Sequence, residues 1–392
     1  MGPRKTQRAR CQRRRGIVDI PAPVYLYPPV PSLPSLHVSG IPALDPIHRS
    51  AALARQECLT KPAGSLGALE ALAVELASVS PDGVPRSRPA SAILFASDHP
   101  VARRGVSAYA QQVTAAMVSN FVRGGAAAAV LARHTGVDLL VVDVGVAHPY
   151  AVPARGDSQP GPSVRLVRDP VADAEVGDIS CEDGMTTDTL SAALEAGRRA
   201  VAALDPTTRV VILGEMGIGN TTVAAAVAGV LLGYDAEAIV GAGTGVSGAA
   251  LEAKKEIVRL AMARVAPGSD PARVLCAVGG RDMAALVGAA GEAAARGMTV
   301  LIDGFIVSVA MLALVRACAD VRRHLVFSHR SREHGHHAVL EALGATPLLD
   351  LRLRLGEASG ALAALPLLDL SCAVHLKMAT FAEAGVPDRD SP

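Results

Sequence analysis

The chain has 392 residues, half of them hydrophobic and only 3% aromatic, with no tryptophan, which is material for one large core and a smaller satellite. Lysine plus arginine (38) nearly equals aspartate plus glutamate (37), but seven of the basic residues precede the first acid, Asp19. Without them 31 basic residues face 37 acidic ones, a body near −6 that argues against a nucleic-acid surface on the folded part.

Residues 1–40 hold those seven (Arg4, Lys5, Arg8, Arg10, Arg13, Arg14, Arg15) and six prolines between Pro21 and Pro34. No apolar segment follows the arginines, so this is no signal peptide, and a disordered basic tail is expected. Residues 41–85 read as a small helical unit, broken at Lys61-Pro62-Ala63-Gly64-Ser65-Leu66-Gly67 and resuming with Leu69, Leu72 and Leu76 on one face.

Residues 86–360 repeat strand, loop and alanine-rich helix. The candidate strands are Ala92–Ala96, Val137–Val144, Arg209–Leu213, Val274–Val278, Thr299–Ile302 and His324–Phe327. Such alternation implies an α/β fold, a doubly wound and mostly parallel sheet with helices on both faces. Ligands in these folds bind at the carboxyl ends of the strands, near a topological switch point. The polar clusters fall there: Asp98-His99, Asp143-Val144-Gly145, Gly214 to Thr222, Gly279-Gly280-Arg281-Asp282, Asp303-Gly304 and Ser328 to Ser331. Residues 148–180 are Pro- and Asp-rich without periodicity and read as a long surface excursion of the kind that forms lids. In residues 361–392 a last helix, through Leu362 to Leu376, returns to the helical unit at the front of the chain.

Six scattered cysteines, with no C-x-x-C pair, read as reduced thiols of a cytoplasmic protein. The apolar run Gly304 to Val315 is well short of the ~20 residues of a membrane span, and none is expected.

The chain is organised around Gly214-Glu215-Met216-Gly217-Ile218-Gly219-Asn220-Thr221-Thr222, with a β-type run before it and a helical pattern after it. Glycines there let backbone approach a ligand, and the first helical N–H groups attract an anion. As a P-loop the stretch lacks its lysine, since Asn220 stands in that place; as a dinucleotide motif it lacks its third glycine, replaced by Thr222. A monophosphate suits it better than a magnesium triphosphate or a dinucleotide.

Glu357 follows Gly356 and precedes the small residues Ala358, Ser359 and Gly360, which leave room for a substrate to reach a general base; equally, it could cap the next helix. Glu215, inside a phosphate-type loop, is expected to face ribose or base, or to brace the loop. Lys254 and Lys255 follow a second glycine turn, Gly241-Ala242-Gly243-Thr244-Gly245, and one of them could reach a phosphate, although a solvated face is the ordinary fate of a helical lysine. His329, His334, His336 and His337 lack an established ligand spacing, so no metal is expected. Asp98 and His99, adjacent at a strand end, point apart and read as loop scaffolding.

Together these stretches resemble one family, the nicotinate-nucleotide:dimethylbenzimidazole phosphoribosyltransferases. The resemblance is carried in order by 61–67, Gly105 to Tyr109 with Gln111, Val113-Thr114, Gly124 to Ala126, Asp143 to Ala147, Gly214 to Thr222, Gly241 to Gly245, Asp303 to Val307, Phe327 to Ser331 with Gly335-His336, and Pro347 to Ala361. It implies transfer of phosphoribose from nicotinate mononucleotide to dimethylbenzimidazole, giving α-ribazole phosphate and nicotinate, by a homodimer without cofactor or metal. By position Glu357 matches the catalytic base and Lys254 a lysine near the phosphate. Glu215, Met216, Gly217, Ile218, Gly219, Asn220 and Thr221 match the nucleotide cradle, and Gly243, Gly245, Asp303, Gly304, Asp98 and Gln111 complete the implied substrate contacts. The chain departs from the pattern at Pro100, at Ala358 and over 169–183. Two alternatives stay open, the same chemistry on another acceptor and a catalytically weak homologue that binds the mononucleotide.

Overall fold

Alternation along each strand divides the core in two. In a computed structural model, which describes residues 33–152, 162–243 and 245–387, the strands are β1 (Ala90–Ser97), β2 (Asp138–Gly145), β3 (Val164–Arg168), β4 (Val210–Met216), β5 (Thr299–Ile302) and β6 (Leu325–Phe327). They form one parallel sheet in the order β3-β2-β1-β4-β5-β6. Ile93, Phe95, Leu140, Val142, Val211, Leu213, Val300 and Ile302 enter one apolar cluster, while Ala92, Leu94, Leu139, Val141, Val210, Ile212 and Leu301 enter the other. Successive side chains leave opposite faces of a strand, and burial on both faces explains why these strands read as unbroken apolar runs.

The helices are α1 (Pro46–Cys58), α2 (Ala68–Val79), α3 (Gln112–Val122), α4 (Ala127–His134), α5 (Thr187–Ala202), α6 (Asn220–Leu232), α7 (Ala236–Ile239), α8 (Ala249–Ala263), α9 (Pro271–Val278), α10 (Arg281–Ala295), α11 (Phe305–Ala317), α12 (His336–Ala342), α13 (Ser359–Lys377) and α14 (Phe381–Ala384). Residues of α5, α6 and α8 to α11 fill the first cluster; those of α2, α3, α4 and α13 fill the second. The end of α13 meets the front of the chain: Arg55 Nε donates to His375 O (2.6 Å), Gln56 Nε2 meets His375 Nδ1 (2.9 Å) and Ser371 Oγ donates to Leu69 O (2.6 Å).

Two expectations are corrected. Val274–Val278 is the end of helix α9: Pro271 stands in its first turn, Asp270 caps it by accepting from Ala272 N, and every residue from Val274 to Val278 is buried. A short apolar run buried all round carries no period that separates strand from helix. The excursion over 148–180 contains edge strand β3 and a 3-10 turn at Pro170–Asp173. Half-exposed edge residues such as Arg165 and Arg168 hid the strand. Arg281 ties this segment to the sheet, donating through Nη1 to the carbonyls of Ala172 (2.9 Å) and Ala174 (2.8 Å) and through Nη2 to Gly145 O (3.1 Å). The rest of the excursion, 153–161, and most of the basic tail, 1–32, lie outside the described residues.

By length and composition alone Gln112–His134 and Ser359–Lys377 are long and apolar enough to cross a membrane, whereas the apolar helix Phe305–Ala317 is too short. Both are built into the fold, with 50% and 56% of their most apolar windows buried.

Candidate active site

The strand order places the switch point between β1 and β4, and the polar loops converge on their carboxyl ends. Leaving β4, the chain passes Gly217, where a Cβ would stand 2.0 Å from Ser97 O, and Gly219, at φ 100°, before entering α6. A side chain at Gly217 would push the loop off the end of β1. Thr114 of α3 clamps the two strand ends: its hydroxyl donates to Asp98 Oδ1 (2.7 Å) and accepts from Ile218 N (3.2 Å). The other oxygen of Asp98 accepts from Ala147 N (2.9 Å), so this buried carboxylate binds three loops together. Burial raises its pKa.

Lys254 lies on the far side of the α6 N-terminus. Only 1% exposed, it donates to Thr221 Oγ1 (2.9 Å) and Gly241 O (3.2 Å), and no carboxylate is within ion-pair distance of it among the described residues. Desolvation lowers its pKa to about 8, opposed only by the more distant charge of Glu333. Gly243, at φ 54°, closes the space; a Cβ there would meet Thr221 Oγ1 at 2.7 Å and Lys254 Nζ at 2.8 Å. A buried ammonium held by neutral oxygens beside a helix N-terminus is a receptor for an anion.

Four carboxylates meet between these features. Gly356, Glu357 and Ala358 have φ of 80°, 61° and 62°, a left-handed run that two non-glycine residues adopt only under constraint. The constraint is close fit: a Cβ on Gly214 would stand 2.5 Å from Ala358 N. Glu357 is 5% exposed and its Oε2 is buried with no partner. Burial, then the charge of Asp303, raises its pKa to about 7. Glu215 accepts from Asn220 Nδ2, and burial together with Asp282, Asp303 and Glu357 pushes its pKa well up. Asp303 Oδ1 accepts from Gly360 N (2.8 Å) and Ala361 N (3.1 Å) and lies 3.7 Å from His329 Nδ1. Asp282 Oδ2 lies 3.1 Å from His99 Nε2. The arrangement offers an anion receptor, glycine-lined backbone, and a carboxylate poised to take a proton near neutrality.

Residues 41–386 match the family model described as Phosphoribosyltransferase. The chain belongs to this phosphoribosyltransferase family. It is 49% identical over 347 residues to a protein of a Bradyrhizobium species named nicotinate-nucleotide--dimethylbenzimidazole phosphoribosyltransferase, covering 88% of this chain and 95% of the relative. A Xanthomonas axonopodis protein of the same name is 48% identical, covering 87% and 95%. The crystal structure of the so-named phosphoribosyltransferase from Thermus thermophilus is similar at a TM-score of 0.78 and 39% identity, covering 88% of this chain and 100% of that one.

Within this phosphoribosyltransferase fold, Glu357, Glu215, Asn220, Asp303 and Gly304 come together, as do Thr221, Gly243 and Lys254. Gly217, Ile218 and Gly219 form the turn between them, Met216 is half-buried at the β4 end, and Gly245 lies at φ 115° in the second glycine turn. Asp98 braces the loops and also lines a small cleft with His99, Pro100, Gly279 and Gly280, and Gln111 donates from Nε2 to His99 O (3.0 Å). Lys255 is turned to the surface, paired with Glu252 (2.7 Å). Glu357 does not cap the following helix, whose N-cap Ala358 offers no side-chain bond.

Two residues that the sequence placed only within polar clusters at strand ends, with no assigned role, are partners in this phosphoribosyltransferase site. His329 fills the space beside Asp303, where a Cβ on Gly360 would stand 1.9 Å from its Nδ1. Asp282 reaches the cluster from the start of α10, carried there by a helix in place of the expected strand. The adjacent glycines Gly279-Gly280 were the usable signal, because a Cβ on Gly280 would stand 2.4 Å from His99 Cε1. His336 is structural: Ser331 N donates to its Nδ1 (2.9 Å), so Nε2 carries the proton toward Ser308 Oγ (3.0 Å), and burial presses its pKa to about 3. Among the described residues no three His, Cys, Asp or Glu side chains are placed to hold a metal.

Proposed function

We propose that this chain transfers phosphoribose from nicotinate mononucleotide to dimethylbenzimidazole, yielding α-ribazole phosphate and nicotinate, a step in building the lower ligand of cobalamin. The observation that carries the reading is Glu357, a buried carboxylate with one unpartnered oxygen and a pKa near 7, on a loop packed against the end of β4, where Ala358 abuts Gly214 and Gly356 abuts Glu215. The names of relatives sharing nearly half their residues with this chain support the same substrates.

The chemistry asks little more of the protein. In nicotinate mononucleotide the ring nitrogen is cationic, so the C1′–N bond breaks with its electron pair neutralising the pyridinium, and no general acid is required. As one benzimidazole nitrogen bonds to C1′ from the opposite face, inverting β to α, the other loses its proton to Glu357. Lys254, Thr221 and the α6 N-terminus hold the phosphate, and fixing donor and acceptor in line supplies much of the rate. Burial first, and then its acidic neighbours, push Glu215 toward the neutral form, which lessens its repulsion of the anionic donor.

In this reading the enzyme is a cytoplasmic homodimer; the five cysteines within the described residues are all unpaired, as a reducing compartment requires. Purified protein given nicotinate mononucleotide and dimethylbenzimidazole is expected to release nicotinate, with α-ribazole phosphate formed in equal amount. Donor binding with no nicotinate release on any benzimidazole, purine or phenol would overturn the reading in favour of a binding protein. Light scattering checks the dimer.

A further inference from the structure

Asp303 stands at the carboxyl end of β5, buried to 1% exposure, and its two oxygens are used differently. Oδ1 accepts the N–H groups of Gly360 and Ala361, the first turn of α13, only three and four residues beyond Glu357. Oδ2 is buried and bonded to nothing. On its other side His329 packs so closely that Gly360 can carry no side chain. Deleting the anchor would free the left-handed run Gly356-Glu357-Ala358 from one end. An uncompensated carboxylate oxygen inside a protein is costly, and in a dry site it acts on any neighbouring acid.

We propose that Asp303 is a positioning residue for the base: through Oδ1 it fixes the turn that carries Glu357, and through its bare second oxygen it sets how strongly Glu357 holds a proton. The inference rests on the reading of Glu357 as the base. Asp303 has two N–H donors and the His329 ring to stabilise its charge, whereas Glu357 Oε2 has no partner. Burial raises the pKa of both, and each charge disfavours the other; the Gly360 and Ala361 N–H groups favour the anion on Asp303, whereas Glu357 Oε2 has no partner, which biases the proton toward Glu357. The other titrating groups facing them are Glu215, Asp282 and His329, and of these only His329 favours the anion on Asp303. When the benzimidazole N–H bond breaks, its proton is thus received by a carboxylate more basic than an isolated glutamate, and solvent takes it after the products leave.

The test is the pH profile of turnover for Asp303→Asn, whose amide oxygen still accepts the Gly360 and Ala361 N–H bonds. The acid limb is expected to move down by roughly one pH unit, as follows when a close like charge is removed. Plateau turnover is expected to fall by roughly three- to tenfold, because the base is weaker. An acid limb that stays in place in a folded variant would overturn the proposal. If Glu357→Gln also leaves turnover unchanged, the reading of the base itself fails; if Glu357→Gln is inactive and the Asp303→Asn limb is unmoved, only this inference falls. Should the variant not fold, carboxyl 13C titration of the wild-type enzyme, with Glu357→Gln to assign the signal, decides the matter. A Glu357 step near neutrality accompanied by a response of an aspartate signal supports the proposal, and a single step in the ordinary glutamate range overturns it.

Discussion

Gly356 and Glu215 touch: a methyl group on Gly356 would stand 2.5 Å from Glu215 Oε1. The tip of the cradle strand and the loop carrying the proposed base therefore fit with no space for even the smallest side chain. Position 356 is also held at φ 80°. Gly356→Ala is expected to destabilise the fold by about 1–3 kcal/mol, from left-handed strain and from displacing a buried carboxylate. Turnover should drop while donor affinity changes little, because Lys254 and Thr221 are elsewhere. Thermal melting and steady-state kinetics check this, and a variant as stable and as active as wild type would show that the two loops are not so closely joined.

Glu357→Gln keeps the shape of the side chain and removes its capacity to accept a proton. Turnover is expected to fall about 10²- to 10⁴-fold, the usual consequence of losing a general base. Binding of nicotinate mononucleotide, followed by calorimetry, should be preserved. A variant that turns over normally removes Glu357 from the chemistry.

The pH dependence follows from the same residue. Glu357 must be ionised to act, and burial and Asp303 raise its pKa to about 7. Activity at subsaturating substrate should therefore fall about tenfold per unit as pH drops below 7. An acid limb lying near pH 4 to 5 would place the base in an ordinary, wet environment and contradict the burial seen here.

The sequence disclosed this site unevenly, for physical reasons. Gly214 to Thr222 was legible because the apolar run, the glycines and the helical pattern are all local. Glu357 was visible as a carboxylate among small residues, but its choice between base and helix cap was not, since that depends on Asp303, more than fifty residues earlier, holding the next turn. Asp282 and His329 were visible only as members of polar clusters; their roles were hidden because they come from packing across α10 and the end of β6. The α9 error has a similar origin: Val274 to Val278 is buried on every side, so no polar residue marks the helical period.

Lys254 gives a prediction in which stability and function move in opposite directions. Its pKa in the folded apo protein is about 8, against 10.5 for the free side chain, and desolvation is the main cause. Between those values the unfolded chain holds a proton that the folded chain does not, so stability rises with pH across that window and the penalty is fullest below pH 8. Lys254→Met removes the buried charge at similar length and is expected to stabilise the apo protein at pH 7 by about 1–3 kcal/mol, after allowing for the lost bonds to Thr221 and Gly241. The same change should weaken nicotinate mononucleotide binding at least tenfold, because no other cation lies against Thr221 Oγ1 among the described residues. In the wild type, donor affinity should be greatest between about pH 6, above which the phosphate is a dianion, and about pH 8, above which the free enzyme's lysine loses its proton. Melting curves and calorimetry across that range provide the check. A methionine variant that melts lower and still binds the donor normally would mean that this lysine braces the loop and that the phosphate is held elsewhere.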